Sequence, residues 1–159
     1  MKLTNAQKKW LSALESGEYS QGTAALCTVE PKGGPGRFYC CLGVAEMSLG
    51  TETAGPTEMC GRQVLSFLER RDGHVQESVR TALLSSSWRK LGLKSPIGDL
   101  DLDHKDAFDA VVLRHAPDVT PKALSLVACL TSYNDKARVS FKAIAAAIRE
   151  VPEAVFDLC

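Results

Sequence analysis

The chain has 159 residues, about the length of one ordinary domain. Its composition, 45% hydrophobic and 24% charged, excludes disordered, collagen-like and low-complexity proteins. Nineteen basic residues balance nineteen acidic ones, so a nucleic-acid-binding protein that follows the phosphate backbone is not expected. We therefore expect a single globular domain over residues 1–159.

The sequence also predicts where the protein resides. No apolar run approaches the roughly 18–20 residues that cross a bilayer, so no membrane attachment is expected. The first residues lead into an amphipathic segment and not into the apolar core of a signal peptide, which favours a cytoplasmic protein. In that reducing compartment all six cysteines are expected to be thiols. They are Cys27, Cys40, Cys41, Cys60, Cys129 and Cys159.

The first predicted element is an amphipathic helix over residues 5–16. Thr4 and Gln7 have the spacing of a capping box, in which each side chain bonds the backbone N–H of the other. Gly17 supplies a C-terminal stop, because glycine readily adopts the left-handed conformation that ends helices. The apolar residues between these signals recur at helical spacing, so one face of the helix should pack on the core.

A β-hairpin is predicted next, formed by two β-type runs on either side of a Pro- and Gly-rich turn at residues 31–36. With Glu30 opposite Arg37, the antiparallel register places Cys27 opposite Cys40. The chain then passes directly from the second strand into a helical pattern.

Helical spacing predicts further helices along the rest of the chain. They are expected around residues 42–49, 64–68, 75–83, 107–115, 121–130 and 140–148. Two stretches break this pattern, near 51–61 and near 94–103, and we expect both to be irregular insertions at the periphery. The predicted fold is therefore a mainly helical α+β domain with one β-hairpin near its N-terminus.

Cys40 and Cys41 lie where the predicted hairpin passes into a helix. A thiol at a helix N-terminus can be held as a reactive thiolate, and His74, His104 or His115 could act as its base. A cysteine-dependent hydrolase or transferase that uses Cys41 or Cys40 is therefore one hypothesis. The alternative is that both cysteines are small buried residues that fill the junction.

The sequence predicts no metal site and no cofactor. A structural zinc site needs four nitrogen or sulfur ligands in closely spaced pairs, and the sequence contains no Cys-x-x-Cys. The acidic run that starts at Asp99 begins like a calcium loop. It carries His104 and Ala110 where that loop requires glycine and glutamate, so it is read as a solvated acidic face.

Two sequence blocks carry a resemblance to a known group of proteins. Residues 10–21 have the pattern W-x2-A-L-x-S-G-x-Y-x-Q, and residues 39–44 read Y-C-C-L-G-V. With a closing segment that contains Asn134-Asp135 and Ser140-Phe141, they resemble an uncharacterised family of small proteins from bacteriophages and other mobile elements. The chain departs from the family pattern at Ala45, Tyr133 and 136–139.

The resemblance implies a setting and no activity, namely that of a small phage accessory protein in the host cytoplasm. We expect a non-catalytic binding protein, an inhibitor of antiphage defence that binds a host protein or sequesters a nucleotide signal. The candidate ligand- or partner-binding residues are Trp10, Tyr19, Gln21, Tyr39, Trp88, Asn134 and Asp135. The alternatives are the cysteine-dependent enzyme and a structural or assembly component of a phage that forms homo-oligomers.

The candidate binding residues also have a purely structural interpretation. Trp10 could anchor the core, Gln21 could close a turn, and Asn134-Asp135 could end a helix. If these side chains converge at the surface instead, they could line a pocket for a small molecule or a peptide.

Overall fold

A computed structural model describes residues 2–29, 36–59, 62–71, 74–78 and 82–157. Helices and a mixed β-sheet are both present in these ranges, which confirms the predicted α+β class. The helices are α1 (Asn5–Ser16), α2 (Cys41–Leu49), α3 (Ser85–Leu91), α4 (Leu102–His115), α5 (Pro121–Ser125), α6 (Leu130–Asp135) and α7 (Phe141–Glu150), followed by a 3-10 helix (Pro152–Ala154). The strands are β1 (Ser20–Gln21), β2 (Cys27–Val29), β3 (Arg37–Tyr39), β4 (Glu52–Met59), β5 (Arg62–Arg71) and β6 (His74–Ser78).

The β-sheet is larger than the single hairpin that the sequence predicts. Its strands lie in the order β1-β3-β2-β5-β4, and β6 also pairs with β5. β1 runs parallel to β3, and the other pairs are antiparallel. The predicted hairpin strands are the antiparallel neighbours β2 and β3, although residues 31–35 of its turn lie outside the described residues.

The register between β2 and β3 differs by one residue from the prediction. Cys27 lies opposite Tyr39 and not opposite Cys40, so that prediction is wrong. Cys40 has already left the strand, because its carbonyl accepts the first helical hydrogen bond of α2 from Val44 N–H at 3.1 Å. The strand therefore ends at Tyr39, two residues before the end of the β-type run at Cys41.

Three further predictions fail between residues 51 and 83. The segment near 51–61, predicted as an irregular insertion, forms β4, and the helices predicted at 64–68 and 75–83 are replaced by β5 and β6. A short apolar run does not distinguish a helix from a strand buried on both faces, and residues 64–67 of β5 are buried. β4 depends on pairing with β5, which no local pattern reveals. Residues 79–81 lie outside the described residues.

The predicted helix near the N-terminus and those predicted around 42–49, 107–115 and 140–148 are confirmed, whereas the helix predicted at 121–130 ends at Ser125 and Leu130 begins a separate helix. Side-chain caps explain where several helices begin. Thr4 forms the predicted capping box of α1, while Thr120 caps α5 and Ser140 caps α7. The segment predicted as irregular near 94–103 ends at Asp101, which caps α4 through Asp103 N–H.

α2 lies at the centre of the molecule and packs against α1 and α6. Gly43 allows α2 to approach the chain ahead of β2 closely, because a Cβ at this position would lie 1.8 Å from the Leu26 carbonyl oxygen. α1 and α4 both pack on α7, and all three helices contribute residues to the core. The Y-C-C-L-G-V block is therefore part of the interior.

Candidate functional site

The two candidate nucleophiles form a buried junction between β3 and α2, which we call the thiol junction (Cys40 and Cys41). Cys40 is the N-cap of α2, and its Sγ accepts a hydrogen bond from Gly43 N–H at 3.4 Å. The Cys41 Sγ–H donates to the Leu130 carbonyl oxygen at 3.5 Å. Each thiol is therefore bonded to the backbone of the core.

Burial keeps both thiols in the neutral form. Desolvation raises the pKa of Cys40 to about 12 and outweighs the hydrogen bonds from the backbone of Gly43 and Leu42, which act in the opposite direction. Desolvation also raises the pKa of Cys41 well above its usual value. Both groups are protonated at neutral pH, whereas a cysteine nucleophile must be a thiolate.

Two of the three histidines offered as bases face other partners, and the third, His74, is exposed at the start of β6. His104 and His115 lie on α4, where His104 Nδ1 is 3.7 Å from Asp101 Oδ1 and His115 Nε2 is 3.4 Å from Glu150 Oε1. No hydrogen bond joins a histidine to the thiol junction within the described ranges. The geometry opposes a cysteine–histidine mechanism.

Trp10, a candidate binding residue, belongs to the core. It is fully buried, and its Nε1–H donates to the Cys41 carbonyl oxygen at 3.0 Å. Its ring meets Phe156 edge to face, with centroids 6.4 Å apart. These contacts agree with the structural interpretation, in which Trp10 anchors the core.

The other aromatic candidates do not converge with Trp10. Tyr19 and Tyr39 pack edge to face with centroids 5.3 Å apart, and Tyr39 is buried. Trp88, on α3, is half-buried and has the Arg89 guanidinium 5.6 Å from its ring centroid. The aromatic positions therefore do not form the walls of one pocket.

The polar candidates Gln21, Asn134 and Asp135 do converge. Gln21 Nε2 donates to Asn134 Oδ1 at 3.1 Å and to the Val139 carbonyl at 2.8 Å. Gln21 Oε1 accepts a hydrogen bond from Phe141 N–H at 3.3 Å. One side chain thus joins the start of the sheet to the connection between α6 and α7.

Asn134 completes this network from a fully buried position. Its Nδ2 donates to the Gly22 carbonyl at 2.7 Å and to Asp135 Oδ1 at 2.6 Å. Asp135 Oδ2 accepts from Ala24 N–H at 3.0 Å. Asn134 is therefore a structural residue that aligns Asp135 with the chain around residue 22.

A surface cavity of about 400 Å³ opens at this network, which is within the usual size of small-molecule sites. We call it the cleft, and its lining residues are Gln21, Gly22, Thr23, Asn134, Asp135 and Arg138. Arg138 is exposed and has no hydrogen bond or ion pair with any described residue. The cleft thus brings together a half-buried carboxylate and an uncommitted guanidinium.

The backbone beside the cleft is strained at two positions. Ala24 has φ +70° and Arg138 has φ +55°, a left-handed conformation that costs residues other than glycine roughly 1–2 kcal/mol. At Ala24 this conformation accompanies the hydrogen bond to Asp135. Three cleft residues, Gly22, Thr23 and Arg138, are not among the predicted binding residues. The charged one, Arg138, has a single signal in the sequence, namely that it lies within 136–139, where the chain departs from the motif pattern that it otherwise resembles.

A second cavity of about 300 Å³ lies between the end of α2, the strands β4 and β5, and α3. Much of its charge is already used within the protein. Arg70 forms an exposed ion pair with Glu52 at 3.1 Å, and the Glu69 carboxylate accepts hydrogen bonds from Ser85 and Ser86 N–H, both at 3.2 Å. This cavity is therefore a weaker candidate than the cleft.

Comparison of the chain with family models, with curated proteins and with solved structures gives no match in any of the three. Within the described ranges, no three His, Cys, Asp or Glu side chains are grouped so that they could hold a metal ion. No described helix combines the length and the apolar character that a membrane crossing requires. The functional interpretation therefore depends on the geometry of the cleft.

Proposed function

We propose that this chain is a non-catalytic binding protein that holds a small, polar, nucleotide-like ligand in the cleft. The observation that carries the proposal is the convergence of Gln21, Asn134 and Asp135, far apart in sequence, at one polar cavity. In the setting that the motif resemblance implies, the protein is a phage accessory factor in the host cytoplasm. There it would inhibit antiphage defence by sequestering a nucleotide signal.

The concave shape of the cleft favours a small molecule over a host protein. A stable protein–protein interface covers about 800 Å² on each partner and needs a wide surface with apolar anchors. The cleft is compact, and the six residues that line it are polar, charged or glycine. These features suit a ligand with several hydrogen-bonding groups.

The state of the thiol junction supports a non-catalytic role. Both cysteines are buried and protonated, and each bonds to the backbone of the core. A cysteine-dependent enzyme would need at least one of them ionised and open to substrate.

Native mass spectrometry after incubation with a small-molecule extract of phage-challenged bacteria tests the proposal. We expect an added mass below about one kilodalton, as fits a pocket of this size. Thr23→Trp should abolish it by filling the cleft. Thr57→Trp, at an exposed position on β4, is the matched control and should retain it.

Two results would overturn the proposal. One is the absence of any small added mass on the unmodified chain, and the other is an equal added mass on both tryptophan variants. A parallel incubation with bacterial lysate covers the host-protein alternative. A protein-sized addition that survives Thr23→Trp would place the activity on another surface and count against the cleft.

A further inference from the structure

Arg138 has the chemistry of an anion-binding residue. Its guanidinium presents N–H donors in a planar fork that matches a phosphate or a carboxylate. The side chain is exposed at the cleft and contributes no bond to the described part of the fold. A left-handed backbone conformation is costly for arginine, and no bond of the Arg138 side chain to the described residues offsets that cost. This suggests that the side chain binds a group outside the protein.

Asp135 has the chemistry of a fixed acceptor. Its two oxygens are held by Asn134 Nδ2 and by Ala24 N–H, so the carboxylate has a defined orientation. A carboxylate has about four lone-pair sites, and these two bonds leave acceptor capacity on each oxygen. A ligand would therefore meet a pre-oriented group and would not have to order it on binding.

Arg138 and Asp135 line the same cavity, yet they form no ion pair with each other. The two side chains are three residues apart in sequence and carry opposite charges. Both are therefore available to a ligand that lies between them in the cavity. Resting on the proposed function, we infer that the ligand is a small molecule with an anionic group, phosphate or carboxylate, for Arg138 and a hydrogen-bond donor for Asp135. A nucleotide meets this description through its phosphate and its sugar hydroxyl or base amino group.

Titrations with defined probes test this inference. O-phosphoethanolamine and β-alanine each carry an anionic group and an ammonium donor, and they separate phosphate from carboxylate. Inorganic phosphate and ethanolamine carry one group each. Backbone amide signals of residues 22–24 and 135–138, followed by NMR, should shift saturably with at least one two-group probe. Its affinity should exceed that of its fragments by about tenfold.

Arg138→Gln should lower the affinity for the two-group probe and for inorganic phosphate by about tenfold or more, because a charge-assisted hydrogen bond is lost. Glutamine keeps the aliphatic stem and a polar end at the same strained position but removes the charge. Arg62→Gln removes an exposed arginine on β5 outside the cleft and should change neither affinity. Ethanolamine, which uses Asp135, should be unaffected by Arg138→Gln.

The inference is overturned if no probe shifts these amides up to about 10 mM, or if Arg138→Gln leaves the affinities unchanged. Its failure is distinguishable from failure of the proposed function. An added mass from the bacterial extract that is lost in Thr23→Trp and kept in Arg138→Gln would preserve the cleft as the site while rejecting the anionic ligand. An extract that adds no mass would reject both.

Discussion

The thiol junction and the cleft are both built from the motifs of this chain, and they have opposite properties. Cys40 and Cys41 are buried, neutral and bonded to the core backbone. In the cleft, Arg138 is exposed and unbonded within the described residues, and Asp135 is half-buried. The residues with the more reactive side chains are therefore enclosed, while an arginine that no motif marks faces solvent.

This contrast shows that a motif residue and a functional residue are different things. Gln21 and Asn134 hold two distant segments together, and their side chains are largely used in doing so. What remains free for a ligand lies beside them, at Asp135 and Arg138. The motif residues Gln21 and Asn134 hold the walls of the cleft in place, and the charged side chains beside them are the groups that can bind a ligand.

The largest expected effect sharpens the contrast between core and cleft. Trp10→Ala should lower the free energy of unfolding by roughly 3–5 kcal/mol, since it leaves a large void and removes the indole N–H that donates to the Cys41 carbonyl. Trp88→Ala, at a half-buried position, is the control and should cost about 1 kcal/mol. Urea denaturation measures both, and equal losses would show that Trp10 is not a core anchor.

A second substitution tests the packing of the thiol junction. Gly43→Ala should lower the free energy of unfolding by about 3 kcal/mol, because its Cβ would meet the Leu26 backbone and neither segment can readily move. Gly55→Ala adds a Cβ into open space and should be nearly neutral. Thermal unfolding of the two variants compares them, and a tolerated Gly43→Ala would contradict the close approach of α2.

The pH dependence of the free energy of unfolding distinguishes buried, protonated thiols from exposed, reactive ones. The pKa of Cys40 is about 12 in the folded chain, above its ordinary value of about 9, so the folded state keeps a proton that the unfolded state releases. The protonated thiol therefore costs no stability below pH 9, and the free energy of unfolding falls as the pH rises from about 9 towards 12. Each such thiol should reduce the free energy of unfolding by about 1.4 kcal/mol per pH unit in that window.

Cys40→Ala provides the reference for this measurement. Urea denaturation at pH 8 and pH 10 should show a smaller alkaline loss in Cys40→Ala than in the unmodified chain. Identical losses would mean that the thiol titrates normally, as an exposed or activated cysteine would.

The smallest expected effect concerns the strained rim of the cleft. Ala24→Gly should raise the free energy of unfolding by up to about 1 kcal/mol, because glycine adopts positive φ without steric cost, although it gains entropy in the unfolded chain. Ala25→Gly, at the next and buried position, should lower it. Thermal unfolding of the pair provides the comparison, and a clear loss in Ala24→Gly would argue against strain at this position.

Local signals in the sequence were enough to predict most of the helices. The capping box at Thr4 and the caps at Thr120 and Ser140 mark where α1, α5 and α7 begin. The strands β4, β5 and β6 were not predicted, since their pairing joins residues whose spacing resembles a loop or a helix. These strands are neighbours in sequence, and Asp72-Gly73 between the last two is a typical hairpin-turn signal, but the apolar residues on either side of it recur at helical spacing.

The cleft was predicted only in part, because the contacts that build it join residues 112 and 113 positions apart in sequence. Gln21, Asn134 and Asp135 were candidates because the motifs contain them, but their mutual hydrogen bonds depend on how α6 meets β1. Arg138 was missed because its value as a site residue comes from exposure and backbone conformation, which the sequence does not show. The dipole argument for a reactive thiol at Cys40 neglects the cost of burial, which raises the pKa of the thiol and agrees with the alternative interpretation of a small buried residue.

One measurement tests most directly whether the cleft, and not the thiol junction, is the functional site. It compares the small added mass from a bacterial extract on Thr23→Trp, which fills the cleft, and on Cys41→Ser by native mass spectrometry. Serine keeps a donor for the Leu130 carbonyl, so the core should remain intact. We expect Cys41→Ser to retain the added mass and Thr23→Trp to lose it. The reverse pattern would exclude the cleft as the binding site and favour the thiol junction instead.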